Sequence, residues 1–405
     1  MTSPHPASGE GKSSSSTVHI STIRTSKLVK SHDIDGNKTF NEYTLLSLVA
    51  RGAYGKVKRA KKDENNFAVK IYSKSALDRK KMSLARSTVP SPLQCVQSEI
   101  NILSQLNHPH ILKLHEVVDD QEFDKMYLVT EWVESGSSMV WNPDAATFYF
   151  QDITFYDESV ARIALTQMSS ALSYLHKRSI AHHDIKPENI LRCGRRRRMQ
   201  QSRVGSALQS DSMSSTRGGT RGGTKGDDSD QLHFVLCDFG AAVEYSSIDE
   251  QVIATKGTHA FFAPEMCGCN PGNEDVGGGG GGGGGGEGAY SPFVSDVWAL
   301  GVTLYSYVYG RLPFWDSRGV QPLFDAIVSH ELETLKWRSD EKNGDESLVS
   351  ASLRQLLRRM LRKDASERLT LAEVETDDWT QGIMGNGDGD VLESRNEDED
   401  DVVSF

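Results

Sequence analysis

The chain has 405 residues, with 45 Lys and Arg against 56 Asp and Glu, a net charge of −11. Hydrophobic residues make up only 37%, and the 36 glycines, ten of them consecutive at 277–286, far outnumber the 12 prolines. Glycine concentrated in runs points to a packed core interrupted by low-complexity inserts, and the composition counts against collagen, a membrane protein and a disulfide-rich secreted domain. The N-terminus lacks an apolar leader core, Thr2 rules out the myristoylation motif, and five cysteines form an odd set. Reduced thiols in the cytoplasm or nucleus are therefore expected, with no membrane partner.

Residues 1–42 are Ser/Thr-rich and short of large apolar groups, so a disordered tail is expected there. From Tyr43 the pattern changes. Residues 43–49 and 67–72 are β-branched and aromatic and predict strands. Residues 94–106 place Val96, Ile100, Leu103 and Leu106 on one helical face. Residues 111–118 and 126–133 return to strand character. After residue 156 the period is helical: 158–176 first, then 295–309, 321–330 and 351–361. A small, mostly β unit (43–133) is thus followed by a larger, mostly helical one (134–381), an α+β chain. Low-complexity inserts at 194–231 and 270–290 interrupt the second unit, and an acidic, disordered tail is expected over 382–405. The four arginines at 195–198 are read as a solvated charge cluster rather than a nucleic-acid site, and no nucleic-acid partner is expected.

Several short motifs fit one chemistry, phosphoryl transfer from ATP. Residues 50–57 read A-R-G-A-Y-G-K-V between two strands. Glycines there let a backbone turn lie close over phosphates. Gly52 and Gly55 fill the second and third glycine positions of G-x-G-x-x-G-x-V, and Ala50 stands at the first. Lys70 lies thirteen residues after Val57 in F-A-V-K, suited to contacting phosphates while a carboxylate on the 94–106 helix, Glu99, holds it. Residues 182–191, H-H-D-I-K-P-E-N-I-L, are the strongest local signal. They resemble the protein-kinase catalytic loop H-R-D-x-x-x-x-N, which implies that Asp184 accepts or orients the proton of a substrate hydroxyl, Lys186 neutralises charge on the transferring phosphoryl group, and Asn189 binds magnesium. Asp238 in L-C-D-F-G would then be a second magnesium ligand. Downstream, Glu265 in A-P-E should pair with Arg368, and Asp296 should anchor the backbone of the 182–184 loop.

In this order the motifs resemble those of eukaryotic serine/threonine protein kinases, over about residues 43–381. The resemblance implies a two-lobed α+β kinase fold, with ATP and Mg2+ as cofactors and a protein substrate. It implies Thr130 as the residue ahead of an adenine-binding stretch. In that stretch the backbones of Glu131 and Val133 would bond the base, and Val57, Ala68 and Leu191 would enclose it. It also implies a stack of Leu103, Leu114, His182 and Phe239. L-N-H-P-H-I-L-K-L-H-E-V-V-D-D and D-V-W-A-L-G-V-T-L-Y-S-Y-V-Y-G-R-L-P-F are most similar to the calcium/calmodulin-dependent protein kinase kinases. Activation loops of other kinases are then candidate substrates. Two departures are expected to matter. The residues after the domain are acidic rather than a basic amphipathic helix, so calmodulin is not expected as a partner. Position 183 is His where such kinases carry a phosphate-pairing Arg, so activity should depend little on activation-loop phosphorylation. Two rival readings are a kinase-fold scaffold without catalysis and a calcium/calmodulin-type kinase with non-kinase substrates. Ala50 and His183 favour the scaffold; Lys70, Glu99, Asp184, Asn189 and Asp238 oppose it.

Overall fold

A computed structural model describes residues 22–52, 55–83, 91–194, 232–253, 255–268, 288–332 and 349–383, with backbone alone at 80–83. The Arg195–Arg198 run, the polyglycine, most of both inserts and the acidic tail beyond Ile383 lie outside these residues. The described chain divides into two compact units, one ending at Trp132 and the other beginning at Val133, with His108–Ile111 assigned to the second.

The first unit is an eight-stranded sheet with two helices. Its strands are β1 (Ile23–Thr25), β2 (Lys30–His32), β3 (Lys38–Phe40), β4 (Tyr43–Arg51), β5 (Gly55–Lys62), β6 (Asn65–Ser73), β7 (Leu114–Asp119) and β8 (Lys125–Glu131); α1 (Lys74–Ser83) and α2 (Pro92–Gln105) follow β6. The sheet order is β1-β7-β8-β6-β5-β4-β3-β2. β1 runs parallel to β7, and the other neighbours are antiparallel. Strand alternation separates two faces. Phe67, Val69 and Ile71 of β6 lie opposite Ala60, Val129 and Tyr127 and form a buried cluster. Ala68 and Lys70 point the other way, opposite Thr130 and Leu128.

Residues 22–42 correct the expectation of a disordered tail. They form β1–β3 and lay Leu28 and Phe40 onto the Phe67–Val69–Ile71 face. Phe40 is fully buried, with its ring stacked 4.3 Å from Tyr127 and 5.1 Å from Tyr43. Asp33 turns the β2–β3 hairpin by accepting the N–H groups of Asp35 and Asn37, and Gly36 supplies a left-handed φ of +80°. The arm has little apolar area of its own. Its order comes from covering an apolar sheet face that belongs to later residues.

Between Lys70 and Glu99 the chain forms α1 and the start of α2. Residues 74–83 are helical, and Pro92 is the first residue of α2. Ser91 and Gln94 close a capping box there. Arg86 and Pro90 lie outside the described residues.

The second unit holds two short hairpin strands, β9 (Val140–Asn142) and β10 (Thr147–Tyr149), then α3 (Glu158–His176), β11 (Ile180–Ala181), β12 (Ile190–Cys193), β13 (His233–Leu236), β14 (Val243–Glu244), α4 (Pro264–Cys267), α5 (Pro292–Tyr309), α6 (Val320–Ser329), α7 (Ala351–Met360), α8 (Leu371–Thr376) and α9 (Asp378–Gln381). α5 is buried on nearly every side, as its run of apolar residues requires, and it packs against α3 and α7. Tyr290, assigned from composition to the second insert, is buried and bridges Val252. Among the described residues no helix is long and apolar enough to cross a membrane.

Replacing Phe40 by Ala should cost about 3–5 kcal/mol, the usual penalty for emptying a buried aromatic site. Chemical denaturation would measure it, and a loss below about 1 kcal/mol would show that the arm does not complete this core.

Candidate active site

In the first unit the sheet face opposite the arm carries several predicted nucleotide-binding residues. Val57 pairs with Lys70 and with Ala50, and Ala68 pairs with Thr130, so their side chains share that face. Lys70 Nζ meets Glu99 Oε1 at 2.7 Å, and the Tyr72 hydroxyl donates to Glu99 Oε2 at 2.7 Å. Burial pushes the Tyr72 phenol well above its ordinary range, so it acts as a neutral donor. Both oxygens of a buried glutamate are thus fixed, and its position fixes the ammonium. Thr130 is buried and donates to the Ala68 carbonyl at 3.3 Å. Glu131 and Lys113 exchange backbone and side-chain bonds of 3.1 and 2.9 Å.

The glycine turn has two different causes. A Cβ on Gly55 would meet the Ile71 carbonyl oxygen at 2.3 Å, so glycine is required there by the neighbouring strand. Gly52 has nothing within 4 Å of a would-be Cβ, and its N–H closes the turn on the Gly55 carbonyl at 2.9 Å. Only at Gly52 is the reading of an open backbone over phosphates left without a structural competitor.

In the second unit the 182–189 loop assembles around Asp184. Oδ1 accepts the Thr258 hydroxyl at 2.7 Å; Oδ2 accepts Asn189 Nδ2 at 2.8 Å and pairs with Lys186 Nζ at 2.8 Å. Lys186 also donates to Thr258 Oγ1 at 2.6 Å, and Asn189 Nδ2 to the Asp184 carbonyl at 2.8 Å. The place of Thr258 between Asp184 and Lys186 comes from the structure and not from a motif. Gly257 makes that approach feasible. Its φ is +101°, and a Cβ there would meet the His183 carbonyl oxygen at 2.1 Å.

Asn189 and Asp238 are brought close by pairing of β12 with β13. The Asn189 carbonyl accepts the Cys237 N–H at 2.8 Å, one residue before Asp238. Asp238 holds a left-handed φ of +60°, and a Cβ on Gly240 would crowd its Oδ1 at 3.3 Å. Among the described residues, the side-chain bonds of Asn189 both use Nδ2 and leave its Oδ1 without one. An amide and a carboxylate oxygen from adjacent strands are hard donors suited to Mg2+. Among the described residues no three His, Cys, Asp or Glu side chains form a protein-only metal site. A two-donor site that shares its ion with phosphates and water fits that composition.

The loop is held from below and beside. Buried Asp296 accepts the N–H of His182 on Oδ2 and of His183 on Oδ1, each at 2.9 Å, and bonds the His176 ring at 3.1 Å. The His182 ring meets Phe239 edge-on at 4.9 Å. Ser137 and Ser138 donate to the carbonyls of Glu188 and Pro187 at 2.8 Å, a support no sequence motif announced. Arg368, fully buried in its side chain, grips Glu265 through two bonds of 2.6 and 2.8 Å. Val133 is buried, its N–H donates to no described residue, and Leu191 sits half-buried on β12. Leu103 and Leu114 are buried in the first unit.

The protein kinase domain family matches residues 43–380. The chain belongs to that family. A calcium/calmodulin-dependent protein kinase kinase of Caenorhabditis elegans is 31% identical over 357 residues, 84% of this chain and 52% of that protein. A probable serine/threonine-protein kinase of Dictyostelium discoideum is 30% identical over 352 residues, 85% of this chain and 39% of that protein. Serine/threonine-protein kinase GRIK2 of Arabidopsis thaliana is 30% identical over 375 residues, 91% of this chain and 72% of that protein. The chain thus spans about half or less of the first two relatives. The α+β architecture fits the family's two-lobed fold.

Two outcomes follow. Thr258→Val should lower kcat by about tenfold or more, and Thr258→Ser should restore it, because the bridging hydroxyl is what the site uses. Equal kcat in Thr258→Val and wild type would remove Thr258 from the site. The second concerns pH. Burial pulls the His183 imidazole down to about 4, against the attraction of Asp296 and helped by Lys256. An unfolded His titrates near 6.5, so between these values the unfolded chain binds a proton that the folded chain refuses. Stability then rises with pH across that window, by on the order of 3 kcal/mol from this residue, and levels off above it. His183→Gln should flatten that rise, and the profile should be compared by denaturation at pH 5 and pH 7. Superimposable profiles would contradict it.

Proposed function

We propose that this chain is an ATP-dependent protein serine/threonine kinase. The observation that carries the reading is the network around Asp184, in which Thr258, Lys186 and Asn189 together engage both carboxylate oxygens. The reaction is ATP + protein-OH → ADP + protein phosphate. The substrate oxygen bonds the γ-phosphorus as the bond to ADP breaks, and Asp184 takes the hydroxyl proton. Lys186 meets the negative charge of the phosphoryl oxygens. Such transfer asks for positioning and charge rather than a covalent intermediate, which suits a rigid hydrogen-bonded loop. Lys70, oriented by Glu99, supplies a cation for the α- and β-phosphates, with Gly52 and Gly55 in the turn beside it. Asn189 and Asp238 would hold Mg2+, whose chemistry is to neutralise phosphate charge. In the first unit the Glu131 backbone offers adenine a polar contact, with Val57 and Ala68 as apolar neighbours on one sheet face.

The likeness to a protein kinase kinase supports a narrower reading, that the substrates are activation segments of other kinases.

Asp184→Asn and Lys70→Met should each abolish phosphoryl transfer to protein while the fold survives. Substantial activity in both would refute the roles. Run on an array of peptides, the same assay should favour activation-segment threonines, and indifference to sequence would remove the narrower reading.

A further inference from the structure

We infer that Tyr245 is a positioning residue that does, through His183, the work of a phosphate on the activation segment. The inference rests on the kinase reading above and goes beyond it in naming how the loop is held.

His183 occupies an unusual place. It is 9% exposed and has a left-handed φ of +67°, a conformation that costs a non-glycine residue about 1 kcal/mol or more. Each part of the residue is restrained by a different piece of the second unit. Its N–H is taken by Asp296 of α5 at 2.9 Å. Its carbonyl lies under Gly257, where no Cβ would fit. Its ring nitrogen Nε2 shares a hydrogen bond of 2.8 Å with the Tyr245 hydroxyl.

Tyr245 follows β14 directly, seven residues after Asp238. β14 pairs with β11 through Ile180↔Glu244 and Ala181↔Val243, and the Tyr245 N–H continues the ladder onto the Ser179 carbonyl at 2.8 Å. The side chain then turns back to reach residue 183, and its ring rests edge-on against Phe293 of α5, 5.8 Å away. The result is a closed circuit from the Asp184 loop through His183 and Tyr245 to the segment that begins at Asp238, and through Asp296 and Phe293 to α5. A broken bond at His183 would free the residue preceding Asp184 on its side-chain side.

The ring is a poor phosphate ligand. Facing it are Asp296 from α5, His176 from α3, neighbouring His182, and Lys256 and Tyr245 from the segment beyond Asp238. A buried neutral imidazole already bonded to a hydroxyl offers no charge to a phosphate. The uncharged His–Tyr bond instead gives a link that needs no modification.

The test uses the full chain treated with phosphatase, a generic protein substrate, and hydrogen exchange read by mass spectrometry. Tyr245→Phe should lower kcat by about tenfold with KM for ATP changed by less than about twofold, since a net hydrogen bond is worth about that factor. Exchange should quicken at residues 180–184 and 243–246. The double variant Tyr245→Phe/His183→Gln should lose no more than the worse single variant. Wild-type kcat and unaltered exchange in Tyr245→Phe would overturn the inference, as would a tenfold or greater fall in wild-type kcat on phosphatase treatment. Exchange does not require phosphoryl transfer, so a wild type without activity would strike at the kinase reading and leave exchange to decide the role of Tyr245.

Discussion

One buried carboxylate organises the second unit. Asp296 sits 2% exposed in the middle of α5 and spends both oxygens on consecutive backbone N–H groups, those of His182 and His183. Burial alone would raise this carboxyl, yet the His176 ring bond and the surrounding imidazoles hold it below its ordinary range. It therefore remains an anion in a place where an unpaired charge would be prohibitive, and removing its partners would cost more than the bonds themselves contribute. The 182–184 loop is pinned for that reason to α5, whose residues are nearly all buried. The 182–183 end of the Asp184 loop takes its position from this contact.

The chemistry follows from positions rather than from perturbed reactivity. Asp184 is surrounded by donors that aim its carboxylate. Lys186 is shared between that carboxylate and Thr258. In the other unit, Glu99 does for Lys70 what this network does for Asp184: a fixed counter-charge turns a flexible ammonium into an oriented one. Each unit preorganises charge before any substrate arrives, which is the economy expected of an enzyme that moves a phosphoryl group without forming a bond to it.

The sequence was most readable where chemistry forces residue type and spacing together. Asp184 and Asn189 must lie five apart to meet, Glu265 needs its arginine, and α3 was bounded at Glu158 and His176 by its apolar period alone. It was least readable where the cause lies far away in the chain. Leu28 and Phe40 look like scattered apolar residues in a polar tail until the far face of β6 and β8 is known. Gly55 reads as a phosphate glycine, although the Ile71 carbonyl excludes any side chain there. Thr258 and Tyr245 carry no motif of their own, because a hydroxyl's role depends on which loop it is folded against. His183 was legible as a departure, but its partner was not.

Transfer of labelled γ-phosphate from ATP to serine or threonine of a protein substrate, by purified wild-type chain with Mg2+, tests the central claim most directly. The account predicts steady, Mg2+-dependent incorporation confined to serine and threonine. Tight ATP binding with no incorporation into any protein would contradict it and leave a kinase-fold scaffold in its place.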